Sequence, residues 1–346
     1  MERKVQQGFG PMLKDYLDYY KINQTDFALR LGISKKHLNE ILNDKSYISL
    51  ELMIAISLIT DIDVNLIFFC ENSKKLDIYL HDRFKGDKEI KKYLDSFYIN
   101  DLYKNKWIVL RDKTSYLQNA YDLLQFLHVD SFDKVLPYIN SKVLFKKRGD
   151  ADNLKTYLWI RRCENILEQN MEIGEYNSSK IGDLLQELKR IRVQKFDEDL
   201  LKNLFRKYGI YLIIEDTLPG TKIRGCSMVK KNNPCIFISR MFKEKSSLYF
   251  TLYHELGHIK TDFNKLKNKI VVDDKENEDS QDKFALDCMI LESDFQKMQT
   301  MSENEIVNFC SENYIPLTFY YTRLAFLGII SYKDKKYLNS REKIDV

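Results

Sequence analysis

The 346-residue chain has few of the residues that break regular structure, with 12 glycines and 5 prolines. Their combined share is less than half of the usual value, which excludes collagen-like, linker-rich and many-hairpin β architectures and favours helices. No apolar run approaches the roughly eighteen residues of a membrane span, and the charged and polar first residues lack a signal-peptide core. We therefore expect no membrane partner.

The six cysteines are scattered singly, and none forms a pair at the spacing of a metal or redox motif. This pattern predicts reduced thiols in a cytoplasmic protein. The net charge of +4 is small for this length, so it neither requires nor excludes a nucleic-acid partner. Because 44% of the residues are hydrophobic, the chain can build folded cores.

Hydrophobic periodicity predicts a mainly α-helical protein in three segments. Residues 1–75 form a helix-turn-helix bundle, residues 76–195 a helical connecting or dimerisation region, and residues 196–346 an α+β domain with a small sheet. Short apolar runs predict the strands of this sheet, at residues 210–214, 235–239 and 329–332.

Residues 254–258 read His-Glu-Leu-Gly-His and lie within a helical apolar pattern, for which Ser246 is a candidate N-cap. On a helix, His254 and His258 project from one face, a single turn apart, so both rings can reach one zinc ion. Glu255 points about 100° away around the helix and can act as general base on the attacking water. The alternative is a helix with two histidines by coincidence, which is rare in a chain with five.

A catalytic zinc ion requires a third protein ligand. Glu278 and Asp282 are candidates, because on a second helix they would lie one turn apart on the same face. One carboxylate would bind the metal, and the other would orient a ligand histidine through its second ring nitrogen. Spacing alone leaves the ligand open, because an acidic surface stretch is the alternative. Competing acidic residues are Asp273, Asp274, Glu276 and Asp279.

The stretch from Phe196 to Tyr332 resembles the ImmA/IrrE family of gluzincin-type zinc metallopeptidase domains. The matching pieces are, in chain order, Gly209 to Leu212, Leu218-Pro219-Gly220, Gly225, Pro234 to Ser239, Tyr249 to His258, Glu278 to Ala285, Pro316 and Arg323-Leu324. The resemblance implies that His254, His258 and Glu278 bind Zn²⁺. It also implies that Asp282 lies beside them, four residues after the third ligand.

The chain departs from this family at two positions near the predicted site. Lys260 is charged where the zinc helix is usually apolar, and Gln281 replaces a common alanine. Neither departure removes a ligand. The strand at residues 235–239 lies where zincins of this kind bind an extended substrate by strand addition, and an ordinary core strand is the alternative.

Residues 24–42 predict a helix, a tight turn and a second helix. Gly32 supplies the backbone freedom for the turn, and Ser34 can cap the second helix. In this motif the start of the second helix enters the major groove of DNA. The predicted DNA-contacting residues are Gln24, Ser34, Lys35, Lys36 and Asn39.

The segment from Gly10 to Phe69 resembles the XRE (lambda-repressor/Cro-type) helix-turn-helix, and within it the HigA-like antitoxin branch. It departs from that pattern at Asp44, where glycine commonly follows the recognition helix, although an Asn-Asp pair tolerates the turn. Residues 1–70 carry eight basic and nine acidic residues, so a local cluster must attract the phosphates. That cluster is Lys35, Lys36 and Lys45. A helical interaction module without a DNA partner is the alternative.

Together these patterns predict a cytoplasmic DNA-binding transcription regulator with a zinc-dependent peptidase domain. The ImmA/IrrE resemblance implies cleavage of a repressor, or of the chain itself, to control stress or mobile-element genes. Expected partners are operator DNA and this protein substrate, with a toxin and a second copy of the chain as further candidates. One alternative is a HigA-like antitoxin or repressor whose zinc domain is a non-catalytic sensor or scaffold. Another is a peptidase whose N-terminal module binds a protein.

Overall fold

The computed structural model describes residues 7–84, 86–109, 115–144, 153–169, 173–241, 243–271 and 279–344. The chain divides into two compact units. The N-terminal unit contains Met1–Ile99 and Val109–Leu123, and the C-terminal unit contains Asn100–Ile108 and Leu124–Val346. The predicted fold class is confirmed, because the chain is mainly helical, begins with helix-turn-helix helices and has a small mixed sheet in its C-terminal half.

The N-terminal unit begins with a series of helices, of which the first five share one apolar core. These helices are α1 (Gly10–Tyr19), α2 (Gln24–Leu31), α3 (Lys35–Leu42), α4 (Leu50–Thr60), α5 (Val64–Phe84) and α6 (Asp87–Ser96). The core side chains of α1 to α5 include Leu13, Phe27, Leu38, Ile56 and Ile67. Within a single helix the buried residues recur at helical spacing, as Leu13 and Leu17 do in α1 and Leu38 and Ile41 do in α3, so each of these helices turns one apolar stripe inward.

Helices also dominate the rest of the chain. They are α7 (Ile99–Lys104), α8 (Tyr116–Leu127), α9 (Val135–Lys142), α10 (Asn153–Gln169), α11 (Ile181–Ile191), α12 (Glu198–Lys207), α13 (Lys245–Leu266), α14 (Asp279–Met289), α15 (Glu292–Met298), α16 (Glu303–Glu312), α17 (Leu317–Phe326) and α18 (Lys335–Ser340). No helix within the described ranges is long and apolar enough to cross a membrane.

The C-terminal unit holds one mixed sheet with the strand order β1-β5-β3-β4-β2. Its strands are β1 (Val143–Leu144), β2 (Tyr211–Glu215), β3 (Gly225–Lys230), β4 (Asn233–Ser239) and β5 (Ile270–Val271). Strand β4 runs parallel to β2 and antiparallel to β3. The β3–β4 hairpin closes through Lys231 and Asn232, which both have positive φ, as a tight hairpin turn requires.

Helix α13 packs across β3 and β4 on one side and against α14 on the other. Its central residues are buried for about four turns, and Leu252, Leu256 and Ile259 belong to the main core of this unit. The apolar spacing therefore places the predicted zinc-binding segment inside the unit, between the sheet and a second helix.

The structure differs from the sequence-based expectation at several places in this unit, and the two-residue strands β1 and β5 are among the elements not predicted. Strand β3 was missed because it contains glycine, serine and a terminal lysine and is not a branched apolar run. Residues 329–332 are not a strand. Gly328, at a φ of 71°, ends α17, and the Ile329 amide donates to the Leu324 carbonyl as part of the helix cap. Ser246 is not the N-cap either, because α13 already begins at Lys245 and Glu244 is its N-cap residue.

The contact between α1 and α3 leaves no room for a side chain at Gly10. A Cβ atom there would lie 1.9 Å from the Ile41 carbonyl oxygen. We predict that Gly10→Ala lowers the free energy of unfolding by about 1–3 kcal/mol, because backbone must move to accept the methyl group. Urea denaturation followed by circular dichroism measures this change.

Gly182→Ala is the matched control, since a Cβ atom at Gly182 in α11 would meet nothing within 4 Å. That variant should be neutral or stabilised by up to about 1 kcal/mol, because alanine favours the helix. Equal stability of Gly10→Ala and the parent protein would contradict the close α1–α3 contact.

Candidate nucleic-acid interface and candidate metal centre

Local capping interactions define the turn between α2 and α3. Oδ1 of Asn23 accepts a hydrogen bond from the Thr25 amide at 2.8 Å and so caps the start of α2. Gly32 ends α2 in the left-handed region, at a φ of 68°. Oγ of Ser34 then accepts from the His37 amide at 3.1 Å and caps α3. The sequence prediction of a helix, a turn at Gly32 and a second helix capped by Ser34 is thereby confirmed.

Helix α3 separates an apolar inner face from a polar outer face. Leu38 and Ile41 are buried, whereas the predicted DNA-contacting residues on this helix are exposed: Lys35, Lys36 and Asn39. Oδ1 of Asn39 accepts from Nδ2 of Asn43 at 2.9 Å, so its side chain is already oriented along the helix. Ser34, the N-cap residue of α3, is exposed. Gln24, the first residue of α2, is partly buried.

Asp44 lies two residues after the end of α3 and has a φ of 61°, in the left-handed region that glycine usually occupies. Three contacts hold it there. Nζ of Lys74 donates to both the carbonyl oxygen and Oδ1 of Asp44, each at 2.8 Å. The Gly8 amide donates to Oδ2 at 3.0 Å. Helix α5 therefore fixes the end of the recognition helix through Lys74, which the sequence pattern did not reveal.

Glu71, one turn before Lys74 on α5, is 1% exposed. Its two carboxylate oxygens accept from the Phe9 amide at 2.9 Å and from the Ile48 amide at 3.2 Å. Ionised carboxylates are strong acceptors of backbone N–H groups. Glu71 therefore ties the start of α1 and the loop after α3 to the same helix that holds Asp44.

In the C-terminal unit, the predicted metal-site residues of α13 are almost fully buried. His254 and His258 are each 4% exposed, and Glu255 is 1% exposed. The centroids of the two imidazole rings are 5.0 Å apart. The helical spacing thus brings both rings side by side below the surface, as one-turn spacing requires.

Each histidine has its own carboxylate partner. Nδ1 of His254 lies 2.8 Å from Oδ1 of Asp282 on α14, and Nδ1 of His258 lies 3.0 Å from Oδ2 of Asp262 on α13. Because an ionised carboxylate can only accept, each Nδ1 atom donates its proton to its partner, and in the neutral form of such a ring Nε2 is the nitrogen with the lone pair. A carboxylate on the distal nitrogen is the usual setting of a metal-ligating histidine, so these residues fit a zinc ion.

Glu255 lies against strand β3. Oγ of Ser227 donates to Oε2 of Glu255 at 2.5 Å. The space is provided by Gly225, where a Cβ atom would come within 2.8 Å of Oε1 of Glu255 and of Cγ2 of Thr251. Strand β3, which the sequence did not predict, therefore supplies a hydrogen-bond donor at Ser227 and space for this carboxylate at Gly225.

Asp262 and Gln281 also contact the site, although the sequence did not predict a role for either residue there. Asp262 follows His258 by one helical turn, so its spacing was a usable signal. Nε2 of Gln281 on α14 donates to Oδ2 of Asp262 and to Oγ1 of Thr261, both at 3.1 Å. Gln281, which the sequence marks only as a departure from the resembling family, thus contacts the carboxylate that holds His258.

Glu278, the predicted third ligand, lies outside the described residues. Within the described ranges, no group of three His, Cys, Asp or Glu side chains is placed to hold a metal ion. The structure therefore brings together His254, His258, Glu255 and Asp282, and the role of Glu278 stays a prediction.

The prediction that residues 235–239 bind substrate by strand addition is wrong. These residues belong to β4, which pairs with β2 on one side and with β3 on the other. Strand addition requires a free row of N–H and C=O groups at a sheet edge. Because both edges of β4 are occupied, this strand is an interior strand of the sheet.

Two cysteines of this unit, Cys235 and Cys288, are held as neutral thiols by burial. Burial raises the pKa of Cys235 to about 12 and the pKa of Cys288 to about 11, so both remain neutral thiols at neutral pH. Tyr253, next to the first histidine, is 1% exposed, and burial raises the pKa of its phenol. Its hydroxyl lies 3.5 Å from Nη1 of the buried Arg192, so this ring packs in the core.

Comparison with known proteins identifies the N-terminal region alone. A helix-turn-helix family model matches residues 13–67, which confirms the predicted XRE-type motif. The match supports a DNA-binding transcription regulator. It is not accompanied by a match to an ImmA/IrrE peptidase domain. No curated protein and no solved structure matches the chain.

The contacts of Lys74 generate a prediction for the N-terminal unit. Lys74→Met keeps the apolar stem but removes both bonds to Asp44, so we expect a loss of about 1.5–3 kcal/mol in the free energy of unfolding, measured by urea denaturation. Lys75→Met is the control, because Lys75 is exposed and lies over the same Tyr47 ring at 5.2 Å, compared with 5.0 Å for Lys74. If the two variants were equally stable, Lys74 would not fix the turn.

Proposed function

We propose that this protein is a transcription regulator that binds operator DNA through α3 and cleaves a repressor, or itself, with a zinc peptidase site on α13. The observation that carries the peptidase half is the buried histidine pair, in which each ring donates its Nδ1–H to a separate carboxylate. In a neutral ring held in this way, Nε2 is the nitrogen whose lone pair can bind zinc, as it does in histidine-ligated zinc sites.

The DNA-binding half is supported by the family match and by the exposed start of α3. Lys35 and Lys36 would neutralise backbone phosphates, and Asn39 would contact a base edge in the major groove. Lys74 holds Asp44 at the end of α3, and Glu71 accepts from the Ile48 amide in the loop that follows, so α5 fixes the position of the helix that presents these side chains. A recognition helix whose position is already fixed loses little conformational entropy when it binds DNA.

At the metal centre, His254, His258 and Glu278 would hold the ion, and Asp282 would orient His254. Bound zinc supplies Lewis acidity, which polarises a peptide carbonyl and lowers the pKa of water. Glu255 would take a proton from the attacking water and return it to the leaving amine. Ser227 holds one oxygen of this carboxylate at 2.5 Å and so limits its rotation.

The second candidate function is a HigA-like antitoxin or repressor whose zinc domain is a sensor or scaffold and catalyses no reaction. It is favoured by the position of β4, since both of its edges are paired and it offers no place for an extended substrate. The two candidates share the DNA-binding unit and the metal ligands. They differ in whether Glu255 performs proton transfer.

Replacement of the exposed residues of α3 tests the DNA-binding half. We predict that Lys35→Ala and Lys36→Ala each weaken binding to a palindromic site upstream of the protein's own gene. Each should also reduce the dependence of affinity on salt by about one unit of logarithmic slope, because a phosphate contact and its released counterion are lost. Fluorescence anisotropy over a salt series measures both effects.

Lys91→Ala is the control, because Lys91 is exposed on α6, outside residues 13–67. It should bind like the parent protein. Equal affinity of the parent for the palindrome and for random DNA would contradict specific operator binding.

Paired variants of α13 separate metal binding from catalysis. We expect about one zinc ion per chain in the parent, and its loss in His254→Ala, because one of the three proposed ligands is removed. Glu255→Gln should retain zinc but lower the cleavage rate of a co-expressed repressor, or of the chain, by about a hundredfold to ten-thousandfold, since the general base is lost. Elemental analysis and gel-based cleavage assays measure the two properties.

Operator affinity should be unchanged in both variants. Normal cleavage or normal gene switching by Glu255→Gln would exclude the peptidase mechanism and leave the sensor or scaffold.

A further inference from the structure

Asp262 has more polar contacts than a solvent-facing helix residue needs. Its Oδ2 lies 3.0 Å from Nδ1 of His258 and accepts from Nε2 of Gln281 at 3.1 Å. The Thr261 hydroxyl lies 3.2 Å from the same oxygen and 3.1 Å from the Gly257 carbonyl oxygen, and it has one proton for the two acceptors. The His258 ring and the Gln281 amide therefore converge on one carboxylate oxygen. Such convergence fixes the position of an oxygen that a free aspartate would leave rotating.

The same contacts link both histidines to one turn of α14. Asp282 reaches His254 directly, and its chain neighbour Gln281 reaches His258 through Asp262. The two helices can approach this closely because α13 has a glycine at the crossing. A Cβ atom at Gly257 would lie 3.3 Å from Cγ of Gln281, which is tighter than an ordinary contact.

A carboxylate on Nδ1 has two effects on the opposite nitrogen of the ring. It fixes the tautomer that leaves the Nε2 lone pair available, and it raises the basicity of that nitrogen through its negative charge. Without the carboxylate, the ring of His258 could rotate about its χ2 angle or place its proton on Nε2. Either change removes a metal ligand without changing the histidine itself.

We propose that Asp262 is a positioning residue for the metal ligand His258, and that Gln281 holds Asp262 in the orientation required. This inference rests on the metal site of the proposed function, but it does not depend on peptidase turnover. It gives the Gln281 departure a role, because alanine at this position could not donate to Asp262.

A competing explanation is that Thr261, Asp262 and Gln281 only fasten α14 to α13. Hydrogen bonds between helices would then stabilise the fold equally with and without metal. The two explanations differ in zinc affinity and in whether the effects of Asp262 and Gln281 are coupled.

The experiment measures zinc affinity of the full-length chain by competition with a chromophoric chelator. The variants are Asp262→Ala, Asp262→Asn, Gln281→Met and the double variant Asp262→Ala/Gln281→Met, with Asn264→Ala as control because Asn264 is exposed on the same helix. Thermal unfolding of each metal-free protein reports fold stability. The visible absorption of the Co²⁺-loaded protein reports the ligand environment.

We expect Asp262→Ala to lose about ten- to a hundredfold in zinc affinity, as removal of such a carboxylate commonly does. Asp262→Asn should lose less, because its amide oxygen still accepts from Nδ1–H but carries no charge. Gln281→Met should lose a few-fold, and this loss should vanish when Asp262 is already alanine. The Co²⁺ spectrum should change in Asp262→Ala and stay the same in Asn264→Ala.

Parent-like zinc affinity and Co²⁺ spectrum in Asp262→Ala would overturn the inference, including the case in which the metal-free variant melts earlier. Additive effects of Asp262 and Gln281 would overturn the role of Gln281. A parent protein that binds no zinc would instead contradict the metal site of the proposed function. Absence of cleavage together with the expected affinities would contradict only the peptidase.

Discussion

The close crossing of α13 and α14 at Gly257 is the constraint on which the candidate metal centre depends. It brings the amide of Gln281 and the carboxylate of Asp282 to the face of α13 that carries His254 and His258. Neutral imidazoles are poorly oriented when buried alone, because either nitrogen can hold the proton. Here each ring is fixed by a carboxylate, so the geometry of the helix pair becomes the geometry of the two candidate ligands.

Buried carboxylates organise both units in the same physical way. Glu71 accepts two backbone amides beneath the helix-turn-helix, and Glu255 accepts from Ser227 beneath the histidines. Burying an ionised group is costly unless hydrogen bonds compensate it. The surrounding backbone must therefore leave space for these groups, and glycines provide it. A Cβ atom at Gly8 would lie 2.5 Å from Glu71, and one at Gly225 would lie 2.8 Å from Glu255.

Local patterns predicted much of this structure, because capping and helical spacing act over a few residues. Ser34, Gly32 and the one-turn spacing of His254 and His258 were readable from the chain itself. Strand β3 was not, since a strand of mixed composition is stabilised by its neighbours and not by its own propensity. The substrate-binding role of β4 was wrongly predicted for the same reason, because whether a strand lies at an edge or in the interior depends on pairing between distant segments. Likewise, the contact of Gln281 with Asp262 depends on how two helices cross.

X-ray absorption at the zinc edge of the purified, full-length chain tests the central claim most directly. The account predicts one zinc ion surrounded by nitrogen and oxygen at about 2.0–2.2 Å, with the outer-shell scattering of two imidazole rings. The imidazole contribution should disappear from His254→Ala/His258→Ala protein. A shell of sulfur at about 2.3 Å, or an unchanged spectrum in that double variant, would place the zinc ion elsewhere and contradict the account.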